Sequence, residues 1–429
     1  MTTVSARICI VTSAPVSQNP RVVKEADALV EAGHDVRVCF ARDAEWTRPL
    51  DEAITTRSRW RSTCIEISQD RVGARALRYR TGFRVRAGRS LMRATMRYPV
   101  PELAYSRYFD EQFRAARAEP ADIFVGHNPQ SLPIVARAAR AAGARYAFDA
   151  EDLHSGQFQS GRETTVESKL VRFLEARYLP DCAYVSAASP GIARALAERY
   201  SIPEPATILN VFPWTDRDGI DGRRVDRRGS ADGVSFYWYS QVISVDRGLQ
   251  DAIAALAQVP APASLHLRGD IGSADRAVLD GVARQHGVRE RVHFHKPVAP
   301  EALLSRAAEH DIGLALERPD TDNRDLCITN KIFLYMLAGL GVIASHTTGQ
   351  AWLMAQCAGA GELYRPGDVD ALAAIMRRLA SAPDDVRKMR AASLEGARAR
   401  WNWEREKGVL VATVEASLQR ATSGRLVRA

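Results

Sequence analysis

Several things are scarce in this sequence, and each scarcity excludes something. Among 429 residues there are six cysteines, none in a C-x-x-C pair. Cys9 and Cys39 fall in apolar, strand-like runs, so the expectation is free buried thiols in a reducing compartment, with neither a disulfide framework nor a zinc site. No unbroken apolar run reaches the roughly 18 residues that a membrane span needs. The first apolar stretch, ICIV at Ile8–Val11, is shorter than a secretory signal core. The expected location is therefore cytoplasmic. With 28 glycines and 20 prolines, the chain is not fibrous or of low complexity. Neither GxGxxG nor GxxxxGK[ST] occurs in the loops after its strands, which argues against a dinucleotide dehydrogenase and a P-loop nucleotidase. Lysine is rare as well: six of the 59 basic residues are lysine, and the rest are arginine.

What remains is an ordinary globular balance, 46% hydrophobic and 26% charged, long enough for two or three domains. A net charge of +8 over this length does not by itself predict nucleic-acid binding. Short apolar strands alternate with amphipathic helices. RICIV leads through TSAPVSQNPR into a helix with Val22, Ala26, Leu29 and Val30 on one face, and HDVRVCF follows. ADIFVGH, ARYAFDA and CAYVSA repeat the pattern, and a second series begins at VSFYWYS. Such alternation predicts an α/β chain of two doubly wound parallel sheets. We expect an N-terminal domain over 1–215 and a linker over 216–233, because DRDGIDGRRVDRRGSADG has almost no apolar content. A second domain is expected over 234–395 and a C-terminal helical segment over 396–429.

In doubly wound folds, ligands sit beyond the carboxyl ends of strands, so the loops there hold the candidates. Arg247 and Gly248 open a helix, where unpaired N–H groups and an arginine suit a phosphate. Lys331 lies in the first turn of another helix, behind Thr329 and Asn330. A cation there is disfavoured by the helix dipole unless an anion is also present. Gly269, in RGD at a strand end, permits close approach of a ligand. In the N-terminal half, His127 ends a strand, and FDAEDLHSGQ sets Asp149, Glu151, Asp152 and His154 after another. A histidine near a carboxylate suits proton transfer or substrate positioning. The alternatives are a purely structural role or a metal site; the E-D-x-H spacing is no recognised ligand set, and no metal is expected. The segment from Arg71 to Arg97 carries nine arginines and no acid, interspersed with Leu, Phe, Tyr and Met. It reads as a cationic amphipathic surface for anionic lipid, or as a solvated insertion. No nucleic-acid module surrounds it.

Taken in order, these motifs resemble the retaining glycosyltransferases of GT-B fold usually called family 4, or glycosyl transferases group 1. The resemblance rests on NPRVVKEADALVEAGHDVRV, ADIFVGHNPQSLPIVARAARAAGARYAFDAEDLHSG and ATILNVF. It continues through VDRGLQDAIAAL, LHLRGD, RVHFHKPVAPEALLSRAAEHDIGLAL, TNKIFLYMLAGLGVIAS and the closing RWNWEREK. It implies two Rossmann-like domains facing a cleft, with the last helix crossing back to the N-terminal domain. It also implies a nucleoside-diphosphate sugar as co-substrate and no permanently bound cofactor. The acceptor would be a sugar, a lipid-linked or a small-molecule hydroxyl, met in the cytoplasm or on the inner face of the cell membrane. In this resemblance Gln241 stands where a basic residue is usual, Arg247-Gly248 match the basic-glycine pair, and Lys331 is phosphate-proximal with Asn330 shaping its loop. Leu334 and Leu326 replace the two glutamates common in the family, with Glu317, Asp322 or Asp325 as substitutes. Asp149 to Asp152 align with a DxHE sequence that faces the acceptor, so Glu151 stands in place of its histidine. The implied catalytic candidates are His127, Asp152 and His154. A non-catalytic binding or scaffold protein of the same fold is the alternative.

Overall fold

The computed structural model describes residues 5–67, 72–92, 94–97, 99–159, 165–227 and 233–426. The chain divides into two compact units. The first comprises Met1–Leu209 and Lys407–Ala429, and the second Asn210–Glu406.

The first unit holds seven strands: β1 Arg7–Thr12, β2 Asp35–Arg42, β3 Arg61–Glu66, β4 Ile123–His127, β5 Arg145–Ala150, β6 Val185–Ala187 and β7 Ala206–Thr207. Its helices are α1 Pro20–Glu31, α2 Arg48–Arg57, α3 Val72–Leu91, α4 Val100–Tyr105, α5 Phe109–Ala116, α6 Leu132–Ala142, α7 Val166–Tyr178 and α8 Pro190–Tyr200. All strands pair in parallel in the order β3-β2-β1-β4-β5-β6-β7. β1 and β4 are apolar and buried because helices cover both faces of such a sheet. The Asn19 side chain caps α1 by accepting from the Val22 N–H, and Pro20 follows at the first helical position. β3 and α2 were not foreseen. β3 is a partly exposed edge strand (RSTCIE), so it lacks the apolar run that marks the inner strands.

The second unit repeats the plan with β8 Ser235–Ile243, β9 Ser264–Ile271, β10 Val292–His295, β11 Ile312–Ala315, β12 Gly341–Ser345 and β13 Gly361–Tyr364. The helices are α9 Leu249–Ala257, α10 Ser273–Gln285, α11 Pro300–Ala307, α12 Asp322–Leu326, α13 Asn330–Ala338, α14 Thr348–Ala355, α15 Val369–Ser381 and α16 Pro383–Ala399. α17, Trp403–Leu426, is the last element; its residues from Lys407 onward belong to the first unit. The strand order is β10-β9-β8-β11-β12-β13. Each sheet therefore reverses its winding once, between β1 and β4 and between β8 and β11. That reversal opens the crevice where doubly wound sheets take ligands.

The expected linker at 216–233 differs from the structure. The chain passes between units at 209/210 and again at 406/407, and the described residues of 216–233 belong to the second unit. Several of their charges are ion-paired, and those of Asp226 and Arg227 are buried. Asp221 takes Arg306 at 2.6 Å, Arg227 takes Asp311 at 3.1 Å, and Asp226 is ion-paired with Arg268. Asp226 and Arg268 are both buried. Paired charges can line an interior where isolated ones cannot. Beside them lie four of the nine histidines. The His266 ring stacks at 4.6 Å on His293, at 5.2 Å on His295, and lies 4.6 Å from His310. Asp226 is the residue of this segment that meets the cluster, at 3.4 Å from His295 and 3.5 Å from His310.

At the other end, Lys407 Nζ meets Glu31 at 2.8 Å, and Arg145 donates to the Ser417 carbonyl. Among the described residues, no helix is long and apolar enough to cross a membrane.

Candidate functional site

In the first unit, the switch point is occupied by a buried charged network. His127 ends β4 with no exposed surface. Its Nε2 lies 2.7 Å from Glu25 Oε2 and its Nδ1 3.1 Å from Glu151 Oε1, with Asp149 Oδ2 at 3.5 Å. A carboxylate oxygen is an acceptor, so both ring nitrogens must donate, which makes the ring an imidazolium. Burial alone would push its pKa down. Glu25, Glu151 and Asp149 outweigh that and hold it at about 10. Asp149 is in turn clamped by Arg21, at 2.5 and 2.8 Å, and accepts from Ser186 Oγ at 2.5 Å. Burial would raise the Asp149 carboxyl; Arg21, foremost, pulls it down to about 2. Asn19 Nδ2 donates to the same Glu151 oxygen as His127, at 2.8 Å. The Glu151 side chain is the most exposed of the three carboxylates facing the ring, at 24%. Glu25 Oε1 is buried without a hydrogen-bond partner.

His127 is therefore not available as the proton acceptor expected from the sequence: it is enclosed, and neither nitrogen offers a lone pair. His127, Asp149 and Glu151 are also the one group among the described residues with ligand atoms close enough for a metal ion. Protons on both ring nitrogens and Arg21 on Asp149 already take up the atoms that such an ion would need. Asp152 and His154 do not join the network. Asp152 accepts from Gln157 at 3.1 Å. His154 is buried in a 3-10 turn, with its Nε2 lacking a hydrogen-bond partner. The residue that sequence reading missed is Glu25. It lies on the same helical stripe as Val22, Ala26 and Leu29, and an acid on a buried stripe is the signal that was available.

In the second unit, three charged side chains from separate segments converge at the switch point. Arg247 follows β8, Glu317 follows β11, and Lys331 lies in the first turn of α13. Lys331 Nζ donates to Glu317 Oε1 at 2.9 Å, and Arg247 Nη1 lies 3.7 Å from Glu317 Oε2. Lys331 also packs over the Trp238 ring at 5.7 Å. The anion that justifies a lysine in a first helical turn is thus, in part, Glu317 itself. Burial would raise the Glu317 carboxyl, but Lys331, then Arg247, bring it below the usual range. Its backbone is pinned by Ser345, whose hydroxyl accepts from the Glu317 N–H at 2.8 Å and donates to its carbonyl at 2.7 Å. Arg247 is one-third exposed, and its buried Nε makes no hydrogen bond. Gly248 has φ +73°, a left-handed conformation at the start of α9 that suits glycine.

Gln241, Gly269 and Asn330 are placed less centrally. Gln241 is exposed where the pairing of β8 with β9 shifts register, between Tyr239 and Val242. Gly269 belongs to the same irregularity, with φ +156°, and a Cβ there would come within 2.6 Å of the Ser240 carbonyl. Asn330 is exposed at the first position of α13. Asp325 is engaged otherwise than expected: it accepts from the Thr348 N–H at 3.0 Å and its hydroxyl at 2.7 Å. Of the three candidate substitutes for the missing glutamates, Glu317 is the one at the cations. Leu334 is buried inside α13.

Comparison with known proteins bears on the fold that carries these residues. Residues 18–211 match the family described as "Glycosyl transferase 4-like domain". No curated protein matches the chain by sequence. Among solved structures, the chain is similar to HepE of Anabaena in complex with UDP, at 16% identity and a TM-score of 0.69, covering 96% of this chain and 100% of that one. It is similar to sucrose-phosphate synthase from Thermosynechococcus elongatus, at 17% identity and a TM-score of 0.66, covering 98% and 99%. It is also similar to WaaG, a glycosyltransferase involved in lipopolysaccharide biosynthesis, at 15% identity and a TM-score of 0.60, covering 94% and 98%. The chain has the GT-B fold, and its residues 18–211 are similar to the glycosyl transferase 4-like domain.

Proposed function

We propose that this protein is a retaining glycosyltransferase that moves a hexose from a nucleoside diphosphate to an acceptor hydroxyl without a metal ion. The setting would be assembly of a cell-surface polysaccharide, a glycolipid or a natural product. The observation that carries the reading is the convergence of Arg247, Glu317 and Lys331 at the switch point of the second sheet. HepE, solved with UDP and with UDP-glucose, supports a nucleotide sugar as the ligand class.

In this reading the bond from the sugar C1 to the distal phosphate oxygen breaks, and its electron pair leaves with the diphosphate. The acceptor oxygen bonds to C1 on the same face, and its proton passes to an oxygen of the departing phosphate. Negative charge grows on the diphosphate, so preorganised cations lower the barrier. Arg247 and Lys331 supply them, with the N-terminus of α13 aiding. Glu317 keeps Lys331 Nζ fixed before the donor arrives, which avoids reorganisation during reaction. On the acceptor side, Glu151 offers a carboxylate to the acceptor hydroxyl, and the His127 imidazolium is a positioning residue behind it.

The test is calorimetric binding of a panel of nucleotide sugars to the purified protein, followed by transfer assays. Lys331→Ala should lower turnover by about 10²-fold or more, the scale of losing one contact to developing charge. Unchanged turnover would eliminate the phosphate role of Lys331. A second reading, a non-catalytic GT-B binding or scaffold protein, is favoured by Leu326 and Leu334 in place of the glutamates. Failure of every nucleotide sugar to bind, with and without acceptor, would shift weight to it from the first.

A further inference from the structure

The helix α3 has two faces of different character. Its inner face is anchored. Thr81 is fully buried, and a Cβ on Gly88 would lie 3.1 Å from Ala104 of α4. Arg84 reaches Asp110 at 2.6 Å and Glu111 at 3.2 Å, and Arg80 reaches Glu111 at 2.6 Å. The acids that answer these arginines therefore lie on the packed side. The outer face carries Tyr79 and Phe83, one turn apart and 79% and 73% exposed. Arg75 and Arg86 lie exposed on the same stripe, and Leu91 at the helix end and Met96 and Arg97 past it are exposed too. No acidic residue occurs from 71 to 97. Arg71 and Arg93 of this segment lie outside the described residues.

Two aromatic rings left in water on one helical turn lose the stabilisation that burial gives, so they are explained by something that covers them. We propose that the outer face of α3, with Met96 and Arg97 beyond it, is a docking surface for an anionic lipid bilayer. Aromatic rings favour the interfacial layer of a membrane, and arginines beside them extend along it to lipid phosphates. Helices that lie in that layer combine an apolar stripe with flanking cations, as here. Single-stranded nucleic acid also pairs aromatics with cations, but it stacks in a basic groove. α3 presents a convex rod, and the aliphatic Leu91 and Met96 have no flat face for a base. The surface lies within the first unit and does not depend on the donor chemistry proposed above.

The experiment is flotation of the full-length protein with two kinds of vesicle: phosphatidylcholine alone, and phosphatidylcholine with about one-third phosphatidylglycerol. Binding is expected to the anionic vesicles only. The double variant Arg86→Glu, Arg97→Glu should weaken it by roughly 25-fold or more, about fivefold for each cation lost near the surface. The pair Tyr79→Ser, Phe83→Ser should weaken it by about tenfold or more, since both rings leave the interface. In Phe83→Trp, the added indole emission should shift to the blue on vesicle addition. All these side chains are exposed, and unchanged unfolding curves would exclude misfolding. Absence of binding to anionic vesicles overturns the proposal, as does binding that neither double variant alters. Equal binding to single-stranded DNA, dependent on the arginines and indifferent to the rings, would make the face a polyanion surface and overturn it too.

Discussion

Replacing His127 by glutamine tests whether the ring is a permanent cation. Its pKa stands at about 10 in the folded chain against an ordinary 6.5. A histidine whose folded pKa is raised gives its full stabilisation below pH 6.5 and loses it as pH climbs through the folded value. The interval is about 3.5 pH units, which at about 1.4 kcal/mol each corresponds to roughly 5 kcal/mol for this enclosed group. That matches the scale of removing one partner from a buried ion pair, about 3–5 kcal/mol. In His127→Gln, Glu25 and Glu151 lose the cation between them, while the amide still donates to one. Urea unfolding of both proteins should therefore show a stability gap of several kcal/mol at pH 6.5 that shrinks by about 4 kcal/mol by pH 9.5. Comparing the two at each pH cancels the cysteines and tyrosines that titrate in the same range. Nitrogen NMR on histidine-labelled protein at pH 8 should show two protonated ring nitrogens that vanish in the variant. A gap that stays constant with pH, or a His127 ring titrating near 6.5, would refute the imidazolium and reopen His127 as a base.

Two further outcomes follow from the second unit. Burial, foremost, lowers the pKa of His266, His293, His295 and His310, and that of His295 to about 4, although Asp226 opposes the fall at three of them. A depressed histidine stabilises above its unfolded pKa near 6.5 and ceases to as pH falls toward the folded value. Resistance of the segment 221–227 to proteolysis should therefore decline between pH 6.5 and pH 4, and His295→Gln should blunt that decline; a flat profile would contradict it. Gly349 opens the first turn of α14, where a Cβ would come within 2.2 Å of the Cys327 carbonyl. Gly349→Ala should displace the loop leading to Lys331, cost about 1–3 kcal/mol in thermal unfolding, and weaken nucleotide-sugar binding; unchanged values for both would show that the loop yields freely.

The alternation of strands and helices was legible because apolar runs of strand length and 3.6-residue stripes report burial directly. The convergence of Arg247, Glu317 and Lys331 was half legible. Arg247 and Lys331 were picked out by their places at helix starts and Glu317 as one of three substitutes implied by the resemblance, but that Glu317 would pair with Lys331 was not foreseen. Buried charge was the least legible feature. Arg21 and Glu25 sit on the buried stripe of α1, and Asp226 and Arg227 lie inside a segment that looked wholly polar. His127 looked like a reactive strand-end histidine. In each case the partner comes from a distant part of the sequence, 102 residues on for Glu25 with His127 and 42 for Asp226 with Arg268. Pairing at that separation leaves no local pattern.

The two crossings of the chain set an order of assembly. Residues 210–406 are contiguous, so the second unit has all its strands as soon as that stretch leaves the ribosome. The first unit does not: its seven strands are made early, yet Leu410 and Val414, both buried, arrive some two hundred residues later, with the Ser417 carbonyl that Arg145 binds. The half that emerges first is thus the half completed last. Until α17 arrives, the surface it covers is open, and non-local closure of this kind slows folding.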